Sequence, residues 1–523
     1  MLKRIKTLLF GSVAGGAIII ATFSVLSRLV GLLRDRLLTG TFGAGQVLDA
    51  YYAAFRLPDL IFNTLVLGAL SSAFTPVFLE IWHKDKEQGW RVANSVLNIL
   101  FVAIFVLTII FFALAPLLVN LFVPGFSLEM KLLTTKLTRI MLLSILFFTL
   151  SNMVSSVLSS FRRFLAYSLA PILYNLGIIF GVVVLTKILG PIGLAWGVVF
   201  GSLLHLLIQL PSVFKTGYHW ENTFSVKNPA VKKIGLLMLP RCFGLAISQF
   251  NLIVTTIIAS GLLAGTVAIY NLAFNLISVP INIFGTSLAI SVFPVFSQTL
   301  INGEEGSFIH HFSKTVRRIL YLIIPTTAIF MLLRIQLVRL ILGTGKFDWK
   351  DTILTSQALL FFAVSLFAQS LIPVLARAFY AKQDTFTPVK AATVGLVINI
   401  VGSLILGPKM GVAGLALAFS ISSIINFLIL FLILKLHLGQ LDEKRVFNST
   451  IKIVFISLIM AAAIQTIKNL VGLSVNMHTF TGVLIQFLSA AFGGGIFYLV
   501  LSLLFRCQEI ELIKKYLVRV FNR

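Results

Sequence analysis

Six charged residues, Arg28, Arg34, Asp35, Asp49, Arg56 and Asp59, fall in or beside the first two long apolar segments of a chain that is 58% hydrophobic and 11% charged. A charge at the middle of a bilayer costs roughly 2.5–3.5 kcal/mol on insertion scales, so such residues face a partner or a wet cavity. Arg28 and Asp35 are seven positions apart, as are Asp49 and Arg56, which returns each pair to nearly one face of a helix. Asp59 lies one turn beyond Arg56, within side-chain reach. Two kinds of chemistry stay open for this cluster. One is interhelical ion pairing that closes the outer end of a helix bundle. The other is a polar cavity in which arginines receive an anionic headgroup while Asp35, Asp49 and Asp59 act as gate or charge partners. Arginine suits phosphate because its planar fork donates bidentate hydrogen bonds.

The elements that must position these residues are membrane helices. Mean hydropathy is +1.02 over 523 residues, and apolar stretches of about 20 residues, each long enough to cross a core roughly 30 Å thick, recur from end to end. Fourteen spans are expected, near 10–31, 47–80, 92–122, 132–160, 166–188, 191–213, 231–261, 264–298, 316–342, 353–380, 386–407, 410–436, 447–468 and 479–505. The fold class is therefore an all-α polytopic membrane protein. Its net charge of +25 collects on one side of that arrangement, as in Lys84, Lys86, Arg91, Lys232, Lys233, Arg317, Arg318, Lys514 and Lys515. The positive-inside rule then places both termini in the cytoplasm of a multi-pass inner-membrane protein. Basic loops facing anionic headgroups account for the charge, so no nucleic-acid partner is expected. Lys3–Lys6 before an apolar run imitates a signal peptide, but a small-residue cleavage site does not follow.

A weak repeat of about 220 residues divides the chain. Ala44-Gly45-Gln46-Val47, Ala54-Phe55-Arg56-Leu57 and Phe74-Thr75-Pro76-Val77-Phe78 recur as Ala264-Gly265-Thr266-Val267, Ala273-Phe274-Asn275-Leu276 and Val292-Phe293-Pro294-Val295-Phe296. Gly190-Pro191 with Gly193-Leu194-Ala195 returns as Gly407-Pro408 with Gly414-Leu415-Ala416. Two pseudo-symmetric six-helix lobes are expected, over 1–220 and 221–440, followed by two additional helices and an amphipathic C-terminal helix over 441–523. Parallel repeats of this kind belong to alternating-access transporters, with the substrate between the halves.

Catalysis finds little support. Glu304-Glu305 and Asp442-Glu443, the nearest acidic clusters to what a membrane transferase needs, lie in polar loops. Cys242 and Cys507 build neither a disulfide framework nor a metal site, and the seven histidines are scattered. No GxxxxGK[ST] loop is present, so ATP hydrolysis is not expected. No cofactor is expected either, although an ion or the membrane potential is a candidate driving force. Arg241, just after Pro240 at the start of the seventh span, is a further candidate for the cavity, with interfacial snorkelling as the alternative; Arg139 and Arg377 have the same two readings. Asp384 is expected to cap the helix that follows it.

The stretches Ser27-Arg28-Leu29-Val30-Gly31-Leu32-Leu33-Arg34-Asp35, Phe42-Gly43-Ala44-Gly45 with Asp49-Ala50, Phe55-Arg56-Leu57-Pro58 and Gly68-Ala69 through Phe74-Thr75-Pro76 carry a family resemblance. Arg163-Phe164 through Ala170-Pro171 and Phe379-Tyr380 with Asp384-Thr385 and Thr387-Pro388-Val389-Lys390 extend it. The chain resembles the MurJ (MviN) lipid II flippase family of the multidrug/oligosaccharidyl-lipid/polysaccharide exporter superfamily. That resemblance implies two six-helix lobes around a cationic cavity, two helices forming a groove for a polyprenyl tail, and transfer of lipid-linked peptidoglycan precursor to the outer leaflet. The implied partners are a polyprenyl diphosphate-linked saccharide and membrane lipids, and a monomer is expected. On the family pattern Arg28 and Arg34 match cavity arginines, Asp35 and Asp49 match carboxylates near the gate, and Arg56 sits where a basic residue is common. The chain departs from the pattern at Phe62-Asn63 and Asn275, where arginines are expected, and at Leu67, where an acidic residue is frequent. The alternatives are a flippase for another polyprenyl-linked glycan and a structural or regulatory homologue that does not transport.

Overall fold

A computed structural model of the chain describes residues 13–67 and 74–511. Every regular element among these residues is helical, because a chain in hydrocarbon must satisfy its backbone groups within each segment. Polar residues mark where several helices begin. Asp85 accepts from the Gln88 amide to open Lys86–Phe122, Ser127 accepts from Met130 to open Leu128–Ser160, and Asp348 accepts from Asp351 to open Trp349–Val364. Asp384 does what its position predicts. Its Oδ1 accepts from the Phe386 and Thr387 amides at 3.0 and 2.9 Å, at the head of Phe386–Met410.

By length and apolarity, ten of the described helices can cross a membrane, or eleven if the bent pair Trp349–Val364 and Leu366–Ala381 is one span. The expected count of fourteen is therefore not reached by this criterion. The first, second and seventh expected spans each include residues or side chains outside those described. The first, expected over 10–31, begins outside the described residues and continues as the helix Val13–Phe42, which carries Arg28, Arg34, Asp35 and Arg36. The second runs through Gln46–Ala54, Arg56–Ile61 and a π-helical turn at Phe62–Val66, and Thr75–Trp82 follows residues outside those described. The seventh forms one continuous helix, Pro229–Ser260, whose last part, Gly244–Ser260, is apolar. Of the expected amphipathic C-terminal helix, residues 512–523 lie outside the described residues.

The chain forms two compact units, Met1–Ala268 with Thr344–Phe347, and Ile269–Gly343 with Asp348–Arg523. In the first, glycines set a close helix pair. An added Cβ at Gly177 would stand 2.2 Å from the Gly201 Cα, and one at Gly181 would stand 2.6 Å from the Gly197 Cα. The Phe164–Phe180 and Ile192–Leu207 helices thus meet backbone to backbone, the small-xxx-small packing that replaces the hydrophobic effect inside lipid. In the second unit the 48° bend at Ser365 is satisfied by polar side chains. Ser365 donates to the Ser420 hydroxyl at 2.8 Å and accepts from Gln369 at 2.8 Å. Leu117, Leu458 and Phe492, on three of the candidate spans, are 67%, 64% and 68% exposed, which suits a surface solvated by acyl chains.

The repeated words adopt repeated local structure. Gly45 precedes a helix from Gln46, and Gly265 precedes one from Thr266. Each course then passes through a π-helical segment, Phe62–Val66 in one and Ile281–Thr286 in the other. Such turns shift the helical register and recur at functional sites.

Candidate functional site

The candidate site is assembled within the first unit by Val13–Phe42, the broken second span, Phe164–Phe180 and Pro229–Ser260. Arg34 donates from Nε and Nη2 to Oδ1 of Asp35 at 3.0 and 2.7 Å, and from Nη1 to Oδ1 of Asn175 at 2.9 Å. Asn175 in turn donates to the Pro171 carbonyl at 3.0 Å, which orients its oxygen toward the guanidinium. Tyr51 and Tyr52 on the second span are within electrostatic range of Arg34. The side chain of Arg34 keeps 21% of its surface exposed, against 4% for Asp35. A residual face of this guanidinium is therefore open to a ligand.

Arg28 is placed differently. It sits two turns before Arg34 on the same helix, half-buried, and makes no ion pair or hydrogen bond among the described residues. A guanidinium keeps its proton under ordinary conditions, so Arg28 carries its charge into a half-buried position.

Asp49 and Arg56 both face the Pro229–Ser260 helix and the turn after it, as their seven-residue spacing predicts. Arg56 is 6% exposed and donates from Nε to the Thr256 hydroxyl at 2.7 Å. Asp49 is 2% exposed, and its carboxyl accepts from the backbone N–H groups of Gly265 and, at 2.8 Å, of Ala268. Those donors are at the start of Thr266–Pro280, where helix N–H groups lack intrahelical partners. Asp49 therefore caps a helix that begins more than two hundred residues later. Asp59 is half-buried; its carboxyl accepts no hydrogen bond among the described residues, although it lies in the field of Arg56.

Of the remaining candidates, Arg241 lies on the Pro229–Ser260 helix with its side chain outside the described residues. Arg139 donates to the Phe112 carbonyl at 3.1 Å and stacks on the Phe112 ring, which ties it to a neighbouring helix. Arg377, in the second unit, donates to the Pro373 carbonyl of its own helix at 3.2 Å. Asn63 lies half-buried in the π-helical turn, and Asn275 half-buried on Thr266–Pro280. Sequence reasoning missed Asn175 and Thr256. Both are polar residues within apolar helical segments, and that was the available signal.

Helices of this length and apolarity, with paired charges among them, define a polytopic membrane protein. Its fold is similar to that of solved transporters of the MOP superfamily. An inward-facing multidrug resistance MATE family transporter of that superfamily superposes with a TM-score of 0.66 at 15% identity, covering 82% of this chain and 99% of the other. A solved lipid II flippase MurJ in an inward closed conformation gives a TM-score of 0.78 at 28% identity, covering 94% and 99%. The family model described as lipid II flippase MurJ matches residues 38–485, and the chain belongs to that family. The lipid II flippase MurJ of Burkholderia cenocepacia is 30% identical over 422 residues, covering 79% of this chain and 82% of that protein. The probable lipid II flippase MurJ of Thermotoga maritima is 28% identical over 487 residues, covering 93% and 95%.

Proposed function

We propose that this protein is a flippase that moves lipid II, a polyprenyl diphosphate-linked peptidoglycan precursor, from the inner to the outer leaflet of the bacterial cytoplasmic membrane. The observation that carries the reading is Arg28, half-buried and without an anion, on the same helix as the partly open Arg34. The family membership supplies the substrate class. In the mechanism proposed here, Arg28 and Arg34 take the diphosphate by charge-assisted hydrogen bonds, removing most of the cost of bringing it away from water. The polyprenyl tail stays in the lipid throughout. Asp35 competes with the diphosphate for Arg34, so release follows when the carboxylate recovers the guanidinium. Access to the site alternates between the two faces of the membrane, with no covalent step and no ATP hydrolysis.

Arg56 and Arg241 are proposed as secondary contacts to the headgroup, with Asp59 as a charge partner to Arg56. Asp49 holds the helix that starts at Thr266. The proposed topology keeps both termini in the cytoplasm, with six-helix lobes over 1–220 and 221–440, additional helices over 441–523, and a monomeric assembly. The membrane potential is the proposed driving force, at about 2.3 kcal/mol per charge per 100 mV.

Asn63 and Asn275, where the family pattern has arginines, favour one second reading: a flippase for a different polyprenyl-linked glycan. Both are tested by expressing the chain in cells depleted of their own lipid II flippase. Growth together with outer-leaflet lipid II establishes the first reading. Normal membrane abundance without rescue rejects it in favour of another glycan or a role other than transport.

A further inference from the structure

The second unit contains a basic cavity that the transport reading does not use. It has a volume of about 230 Å³ and is lined by His310, Lys314, Arg317, Arg318, Arg445, Gln508, Glu509 and Glu511. An adjoining cavity of about 140 Å³ shares Arg317, Arg445, Gln508 and Glu509 and adds Lys452 and Arg506. On Glu305–Leu332, His310, Lys314, Arg317 and Arg318 follow one another at helical spacings that stack them on one face. Like charges so spaced repel, and such a stack is stable when an anion sits against it.

One anion is already built in. Glu509, 6% exposed, accepts from Arg317 Nη1 at 2.6 Å and from the Ser449 hydroxyl at 3.0 Å. Gln508 accepts from Arg317 and from Arg445, both at 3.3 Å. Glu509 does not exhaust the site. Arg317 is itself 6% exposed, and its buried Nε has no acceptor, which is a costly arrangement for a guanidinium N–H. Lys314, Arg318 and Arg445 form no ion pair among the described residues. The cavity volume is several times the roughly 30 Å³ share of one water, which is ample for a tetrahedral oxyanion.

The cavity lies where Glu305–Leu332 and Glu443–Ser474 begin and just beyond the end of Phe480–Leu504, all three of them candidate spans. Phe447, Leu504 and Phe505, next to its basic residues in the chain, are 65%, 70% and 42% exposed. A lipid phosphate would fit here with its acyl chains along these side chains. We propose that this cavity is a phosphate-group binding site, separate in sequence and in unit from the arginines assigned to transport, and suited to the headgroup of an anionic phospholipid.

The test uses the full chain in nanodiscs that mix phosphatidylglycerol with phosphatidylcholine, with retained lipid counted by native mass spectrometry after extraction into neutral detergent. Wild type should retain phosphatidylglycerol over phosphatidylcholine. The variants Lys314→Gln and Arg445→Gln, singly and combined, remove exposed or half-exposed cations and spare the Arg317–Glu509 pair. The combined variant should retain about tenfold less, and Lys390→Gln, elsewhere in the chain, should match wild type. Added inorganic phosphate separates the sources. Displacement of the lipid assigns the site to free phosphate, persistence of the lipid assigns it to the headgroup, and both uphold a phosphate site. Equal retention of the two lipids by wild type, or unchanged retention in the combined variant, overturns the proposal. The readout is binding, so it stands apart from whether the chain flips lipid II.

Discussion

Replacing Asp49 separates a structural cap from a transport gate. Its carboxyl accepts from two backbone N–H groups, those of Gly265 and Ala268, in a site where Asp49 is 2% exposed. Asp49→Ala leaves both donors buried without a partner, and each orphaned group costs about 1–3 kcal/mol. Relaxation of the turn recovers part of that, so a net loss of about 2–4 kcal/mol is expected, above the usual range of about 0.5–2 kcal/mol for a helix cap. Asp49→Asn keeps one acceptor oxygen but turns a donor toward the second N–H, for a loss of about 1–2 kcal/mol. Thermal unfolding of purified protein in detergent, followed by near-ultraviolet circular dichroism, should order the three as wild type, Asn, Ala. Membrane abundance should fall in the same order. If Asp49→Ala melts with wild type and loses transport alone, the capping argument is refuted and Asp49 belongs to the gate.

Three other perturbations test the packing and electrostatics. Gly177→Leu drives a side chain into the backbone at Gly201, where even a Cβ would stand 2.2 Å from the Cα, and should reduce folded protein in membranes severalfold by immunoblot. Arg317→Gln or Glu509→Gln breaks a pair whose side chains are 7% and 5% exposed, at a cost of about 3–5 kcal/mol, whereas replacing both with apolar residues of similar size should recover most of that in thermal melts. Burial pushes the Asp384 carboxyl up, but bonds from the Thr387 hydroxyl and amide and the Phe386 amide together outweigh it and hold the group below the usual carboxylate range. Because its folded pKa is depressed, this cap contributes fully above the unfolded value of about 3.9 and is lost as pH falls through the lower folded one. Acid titration of stability should show that limb in wild type and a weaker one in Asp384→Asn.

Hydrophobic length and helix starts were legible because both are local properties of the chain. The apolar runs, Asp384 and the repeated Ala-Gly words all announce themselves within a few residues. The partners of the charged cluster were not legible, since they are set by packing between distant segments. Seven-residue spacing put Arg28 and Asp35 on nearly one helix face without naming the partner of either. Asp35 is held by Arg34, its immediate neighbour, whose long side chain folds back far enough to reach it. Asn175 is 141 positions from Arg34 and Gly265 is 216 from Asp49, distances over which no pattern in one sequence points to a contact. The spacing of Asp49 and Arg56 did predict a shared face, and both reach the Pro229–Ser260 helix or the turn after it. Arg317 and Glu509 were equally hidden, at 192 positions apart.

The central claim is that Arg28 receives the anionic headgroup. It is tested most directly by measuring outer-leaflet lipid II in flippase-depleted cells that express wild type, Arg28→Ala or Arg28→Lys at matched membrane abundance. The account predicts lipid II at the outer leaflet with wild type, loss of about tenfold or more with Arg28→Ala, and partial recovery with Arg28→Lys, which restores charge without the bidentate fork. Wild-type levels of outer-leaflet lipid II with Arg28→Ala would contradict it.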